Sequence, residues 1–213
     1  MIMQHPYFVR LLRGPLALGL LALLLALPAR AAQHSLLVLG DSISAAYGMS
    51  LQQGWVSQLA DELRDSHPHY RVVNASISGE TTAGGLRRLP DLLAEHQPEL
   101  VIIELGGNDG LRGYPVGRLR DNLEQMARMA RDAGARVLIL PMEIPPNYGA
   151  RYTRLFREAF GAAAEAADST LGPFLLDGVA TDSELMQDDG IHPTAAAQPL
   201  LLNNLRAAIM ALL

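Results

Sequence analysis

From Ser35 onward the chain alternates between short unbroken apolar runs and longer stretches in which apolar residues recur every three or four positions. The runs read as strands covered on both faces, because a string with no polar side leaves no face for water. They fall at Ser35 to Gly40, Tyr70 to Ala75, Leu100 to Leu105 and Val137 to Leu140, with a weaker run at Pro173 to Leu176. The intervening spacing predicts helices over Gly54 to Ser66, Ala83 to Glu95 with an interruption near Pro90, Val116 to Ala133 ending at Gly134, and Tyr152 to Ala167. A last helix over Gln198 to Leu213 places Leu201, Leu205, Ile209 and Leu212 at helical spacing. Strand and helix alternate without hairpin signals, which predicts an α/β fold of parallel strands sandwiched between helices.

The first residues follow another pattern. Arg10 and Arg13 precede an apolar run from Pro15 to Leu27 and the small-x-small step Ala29-Arg30-Ala31, and no acidic residue comes before Asp41. This is the form of a cleaved export signal, shorter than the roughly 20 apolar residues a bilayer span needs. Residues 1–31 therefore read as a signal peptide, with cleavage after Ala31 or Ala32, no stable membrane anchor afterwards, and a periplasmic or secreted mature chain. Residues 32–213 read as one domain, and 49% hydrophobic content is enough to close a single core for it.

Composition narrows the chemistry. The chain has no cysteine, which excludes a thiol nucleophile, a Cys-based zinc site and disulfide staples in an oxidising compartment. All 17 basic residues are arginine, so Ser-Lys activation and Schiff-base chemistry are also out of reach. Loss of Arg10, Arg13 and Arg30 with the signal takes the formal charge from −5 to −8, a sign that argues against nucleic acid as a partner.

In a parallel sheet, ligands gather at the carboxyl ends of the strands, near the point where strand order reverses. Here those ends carry Gly40-Asp41-Ser42, then Asn74-Ala75-Ser76-Ile77-Ser78-Gly79, then Gly106-Gly107-Asn108-Asp109. Ser42 alone reads equally as a helix N-cap, and it is not in a G-x-S-x-G elbow. A serine needs a base. Of six histidines, His5 leaves with the signal, His34 lies at the new terminus, His67 and His69 flank Pro68 with no third metal ligand in view, and His96 closes a helix.

His192 differs, lying in "DDGIHP" with Asp189 three positions before it. Asp189 can accept from Nδ1 and leave Nε2 free for the Ser42 proton; the same residues also read as an ordinary Asp-Gly turn. An oxyanion would need fixed donors, and the Asn108 side chain, the Gly79 amide and the Ser42 amide are candidates, each with a turn or loop reading of its own. Four separate pieces at strand ends of one sheet supply nucleophile, base, orienter and donors.

At these residues the chain resembles the SGNH, or GDSL-type, hydrolases. Ser42 stands in "GDS", Gly79 in "NASISGETTAGG", Asn108 in "GGND", and Asp189 with His192 in "DGIHP", in that order. Within the family, "VLGDSISAAYGM", "VIIELGGNDGLRG" and "IPPNYGARY" resemble an exported bacterial group with esterase, acyl-CoA thioesterase and lysophospholipase activities, and the likeness covers nearly all of the mature chain. One departure is Ala46, where relatives carry glycine.

The resemblance implies a flavodoxin-like three-layer sandwich with a five-stranded parallel sheet. It also implies hydrolysis of small-molecule acyl esters or thioesters through a Ser42 acyl-enzyme, without metal or organic cofactor. By the same carry-over, "MEIPPNY" lines the acyl groove through Ile144 and Pro145, a segment that reads equally as a Pro-rich turn. Asp41 is expected to point inward and tie down loop amides. A carbohydrate O-acetyl esterase or an acyltransferase could use the same site, and an exported binding module without turnover is the reading from another class. A monomer is expected.

Overall fold

The computed structural model describes residues 34–213, so the export-signal reading of residues 1–31 lies outside the described residues. Five strands form the sheet: β1 (His34–Gly40), β2 (Tyr70–Asn74), β3 (Leu100–Glu104), β4 (Arg136–Ile139) and β5 (Thr170–Leu171). All neighbours are parallel, in the order β2-β1-β3-β4-β5. The helices are α1 (Trp55–Ser66), α2 (Thr82–His96), a short α3 (Gly107–Leu111), α4 (Val116–Asp132), α5 (Ala150–Ala166) and α6 (Gln198–Met210).

Period-2 alternation along the strands divides the core. Leu37 and Leu39, Val101 and Ile103, and Val137 and Ile139 point to one side, where they meet Leu89 and Leu93 of α2, Leu123 and Met126 of α4, and Phe156 and Phe160 of α5. Leu36 and Val38, Leu100 and Ile102, and Leu138 point to the other, against Trp55, Leu59 and Leu63 of α1 and Leu201, Leu205 and Ile209 of α6. Helices thus cover both faces, as the unbroken apolar strands require.

Two expectations about elements need correction. The fifth strand is Thr170–Leu171, not Pro173 to Leu176. Its two residues are exposed, so no apolar run betrays it, and the ladder stops where the Gly172 N–H donates to the Ile139 carbonyl at 2.8 Å. The run after it is apolar for another reason: Leu175 is buried in the core beside α6, and Phe174 and Leu176 line a cavity.

Pro90 also fails to interrupt its helix, because α2 runs unbroken through it. Pro90 lies on the exposed side of α2, where water can replace the missing N–H, while Leu89 and Leu93 hold the buried side against the sheet.

The chain turns one way from β1 to β2 and the other way to β3, so the switch point lies between β1 and β3. The strand ends Gly40 and Glu104 are register partners there. Whatever follows them is brought side by side at the place where such sheets hold ligands.

Candidate active site

Ser42 follows β1 in a series of turns rather than at a helix start. The loop is fixed from below: the Ala45 N–H donates to the Asp41 carbonyl at 3.0 Å, and Asn74, at the end of β2, donates to the Ser44 carbonyl at 2.8 Å. Ala46 is buried at φ +57°. An alanine in that left-handed region costs about 1 kcal/mol, so the loop that carries Ser42 holds local strain.

His192 arrives 150 residues later, on a turn built around Asp189. Asp189 Oδ1 accepts the N–H groups of Ile191 (2.9 Å) and His192 (3.0 Å), and Oδ2 lies 2.6 Å from His192 Nδ1. An ionised carboxylate only accepts, so the Nδ1 position carries the proton and Nε2 faces Ser42 Oγ at 2.9 Å with a free lone pair. The hydrogen bond from the His192 side chain, followed by the two backbone N–H groups, holds the Asp189 carboxyl down at about 2. Asp189 is therefore an anion throughout the working range of a histidine.

Two residues that sequence reading passed over hold this turn in place. Gln187 donates from Nε2 to the carbonyls of Tyr47 and Pro193, both at 2.9 Å, and so ties the histidine turn to the nucleophile loop. A Cβ on Gly48 would stand 2.4 Å from Gln187 Oε1, and Gly48 sits at φ +78°, so only glycine lets the two loops meet so closely. The Tyr47 ring lies 4.3 Å from the His192 ring, covering its face.

The donors come from β3 and β2. Asn108 lies in α3, which the sequence showed only as a turn, and its Nδ2 donates to Asp41 Oδ2 at 3.2 Å. Asp109 beside it accepts the Thr82 N–H (2.9 Å) and the Thr82 hydroxyl (2.6 Å), and Asn122 of α4 donates to that hydroxyl at 2.9 Å. This buried cluster locks the start of α2, and with it the Gly79 segment, to the Asn108 helix. Asp109 and Thr82 were legible only as members of quoted motifs, and nothing in the chain singles out Asn122.

Gly79, at φ +78°, lies against Arg112, which donates to its carbonyl at 3.1 Å. Gly79 is not among the residues lining the Ser42 cavity. Within the described residues neither its N–H nor that of Ser42 has a hydrogen-bond acceptor.

Asp41 points inward, as expected. Its Oδ1 accepts the Ile43 N–H at 3.1 Å and its Oδ2 the Asn108 amide. Burial pushes its carboxyl up to about 6, against the smaller pull of the Ile43 N–H and of His192. Below it stands Glu104, fully buried at the end of β3.

A cavity of about 540 Å³ opens from Ser42, Asn108 and His192. Beyond them its walls are mostly apolar, with Leu111, Met142, Phe174 and Ile191 among them, Ile144 and Pro145 line it, and Asp41, Glu104, Glu143 and Thr181 add polar edges. Among the described residues no group of three or more histidines and carboxylates is placed to hold a metal ion. A serine beside a neutral imidazole, with free amide donors and an apolar cavity, can attack a carbonyl carbon and hold the resulting oxyanion.

The described domain matches known proteins along its length. Residues 38–199 match the model of the GDSL-like lipase/acylhydrolase family. The chain is 54% identical over 202 residues to esterase TesA of Pseudomonas aeruginosa, covering 95% of this chain and all of the relative. It is 48% identical over 168 residues to an arylesterase of Vibrio mimicus (79% and 84% covered), and 44% identical over 171 residues to thioesterase 1/protease 1/lysophospholipase L1 of Escherichia coli (80% and 81%). Among solved structures, TesA superposes with a TM-score of 0.82 at 55% identity, covering 84% of this chain and 100% of that one. The psychrotrophic esterase EstA from Pseudoalteromonas sp., inhibited by monoethylphosphonate, gives 0.80 at 41% identity (84% and 97%).

The raised Asp41 carboxyl has a measurable signature. Its stabilising contribution is complete below about pH 4 and is lost as pH rises through about 6, a change on the order of 2–3 kcal/mol. Asp41→Asn is expected to remove that component, so guanidinium unfolding at pH 4.5 and 7.5 should show a smaller fall for the variant than for the wild type.

Proposed function

The chain belongs to the GDSL-like lipase/acylhydrolase family, and from that premise we propose that it is a serine hydrolase of carboxylic esters and thioesters, working through Ser42, His192 and Asp189. The observation that carries the reading is the hydrogen-bonded line from Asp189 through His192 to Ser42, at 2.6 and 2.9 Å, at the polar end of an apolar cavity.

His192 Nε2 takes the Ser42 proton as Oγ attacks the acyl carbon. The amides of Ser42 and Gly79 and the Asn108 side chain receive the oxyanion. The imidazolium, held by Asp189, then protonates the departing alcohol or thiolate, leaving the acyl group on Ser42. Water enters, gives its proton to His192 and releases the acid. Asn108 keeps one amide proton on Asp41 Oδ2 and offers the second to the oxyanion.

The mostly apolar walls favour an acyl chain over a sugar, because a sugar would leave most of its hydroxyls without partners there. Ile144 and Pro145 contribute to the acyl groove in this reading. The named activities of the relatives, esterase, arylesterase, thioesterase and lysophospholipase, support the same substrate class. Export to the periplasm is part of the proposal and rests on the Arg10 to Ala31 pattern. A thioesterase there would meet little acyl-CoA, which favours esters and single-chain lipids as working substrates.

Kinetics on the purified mature chain test this reading. Ser42→Ala and His192→Ala should each lower kcat by about 10⁴ or more, Asn108→Ala by about 10² to 10³, and Asp189→Ala by an amount between. A series of p-nitrophenyl esters, matched thioesters and lysophospholipid should show kcat/KM rising with acyl length until the cavity is filled. Equal rates for wild type and Ser42→Ala, or best activity on acetylated sugars, would refute it.

A further inference from the structure

We propose that Glu104 is a positioning residue for Ser42 and Asn108, and that it does this as the neutral acid. The inference rests on the serine-hydrolase reading above and adds to it a group that the reaction steps do not use.

Glu104 ends β3 directly beneath the nucleophile loop and has no exposed surface. Its Oε2 accepts the Asp41 N–H at 3.2 Å and meets the Ser44 hydroxyl at 2.6 Å, so one oxygen holds the residues on either side of the Ser42–Ile43 step. Gly40 across the register leaves room for it: a Cβ there would stand 2.6 Å from Oε2. The other oxygen, Oε1, is buried and meets no donor.

That asymmetry decides the charge state. A buried carboxylate needs donors on both oxygens, whereas an acid needs a partner for its proton and tolerates a bare carbonyl oxygen far better. The Ser44 hydroxyl accepts as readily as it donates, so a proton on Oε2 has a partner at 2.6 Å.

Asp41 has donors on both oxygens, the Ile43 N–H and the Asn108 amide, and it keeps the negative charge. Two adjacent buried carboxyls then carry one charge between them. Burial, then the charge of Asp41, hold the Glu104 carboxyl well above its ordinary range.

The surrounding elements agree. The nucleophile loop offers Asp41 and Ser44, the loop after β2 offers Ser76, α3 offers the neutral Asn108, and the residue after β4 is Leu140. Among the described residues Asp41 is the one charged group that bears on Glu104, and His192 and Asp109 bear on Asp41. An ionised Glu104 would hold the Asp41 N–H more tightly but would repel the Asp41 carboxylate, the group to which Asn108 donates.

The test compares wild type, Ser42→Ala, Glu104→Gln, Glu104→Leu and Ser44→Ala on one p-nitrophenyl ester from pH 5 to 10. Glutamine is neutral and keeps an acceptor, so Glu104→Gln is expected to stay within about threefold of wild-type kcat/KM, with its acid limb at the same pH. Glu104→Leu should lose about tenfold or more in kcat with a much smaller change in KM, because the nucleophile is misplaced while the rest of the cavity wall is kept.

The proposal is overturned if Glu104→Gln is as poor as Glu104→Leu, or if its acid limb moves to lower pH by about half a unit or more, the mark of a removed negative charge. It is also overturned if Glu104→Leu turns over like wild type. Should Glu104→Leu not fold, Ser44→Ala replaces it: a several-fold loss of kcat is expected, and wild-type kcat would count against the proposal. Undiminished turnover in Ser42→Ala would instead sink the serine-hydrolase reading itself.

Discussion

A serine hydroxyl gives up its proton only to a base within hydrogen-bond reach, so the 2.9 Å between Ser42 Oγ and His192 Nε2 is the contact on which the rest of the site depends. Nothing local creates it, because 150 residues separate the partners. It exists because β1 and β3 meet at the switch point of the sheet and because Gln187 ties the histidine turn to the loop that follows β1. Asp189 fixes the tautomer and orientation of the ring with one side-chain and two backbone contacts, an arrangement that lets a turn exposed to solvent hold a single geometry.

Beneath that contact the structure accepts electrostatic cost. Asp41 and Glu104 are both buried carboxyls, and both titrate above their ordinary ranges because water has been removed from around them. A pair of apolar residues would fill the same volume at lower cost. Polar groups instead connect the strand ends: Glu104 to the Asp41 amide, Asp41 to Asn108, Asp109 to Thr82, and Thr82 in turn to Asn122. Together with the left-handed Ala46, they trade stability for a fixed set of donors, in line with strain and buried charge gathering at functional sites.

Much of this was readable from residue order. Continuous apolar strands and periodic helices announce a covered parallel sheet, and Leu37 against Leu36, or Ile103 against Ile102, already divides the two faces. Ser42, Asn108, Asp189 and His192 stand in short motifs whose residue types suggest their roles, and the structure brings Ser42, Asn108 and His192 to one cavity with Asp189 bonded to the far nitrogen of His192. What stayed hidden depended on contacts between distant residues. Thr170–Leu171 is too short and too exposed to leave a pattern, and Phe174 looked like strand because it lines a cavity. Gln187, Asn122 and Glu104 have no local signature, since each acts through a partner many residues away. Gly79 lies against Arg112 and not among the residues lining the Ser42 cavity, on the segment that leads to the Asp109–Thr82 cluster.

The most direct measurement is covalent capture of the activated hydroxyl. Treatment of the folded mature chain with diethyl p-nitrophenyl phosphate, followed by intact mass and peptide mapping, should show one diethylphosphoryl group per chain, on Ser42, and none in His192→Ala over the same time. Labelling at another residue, or labelling of Ser42 at the same rate without His192, would contradict the account.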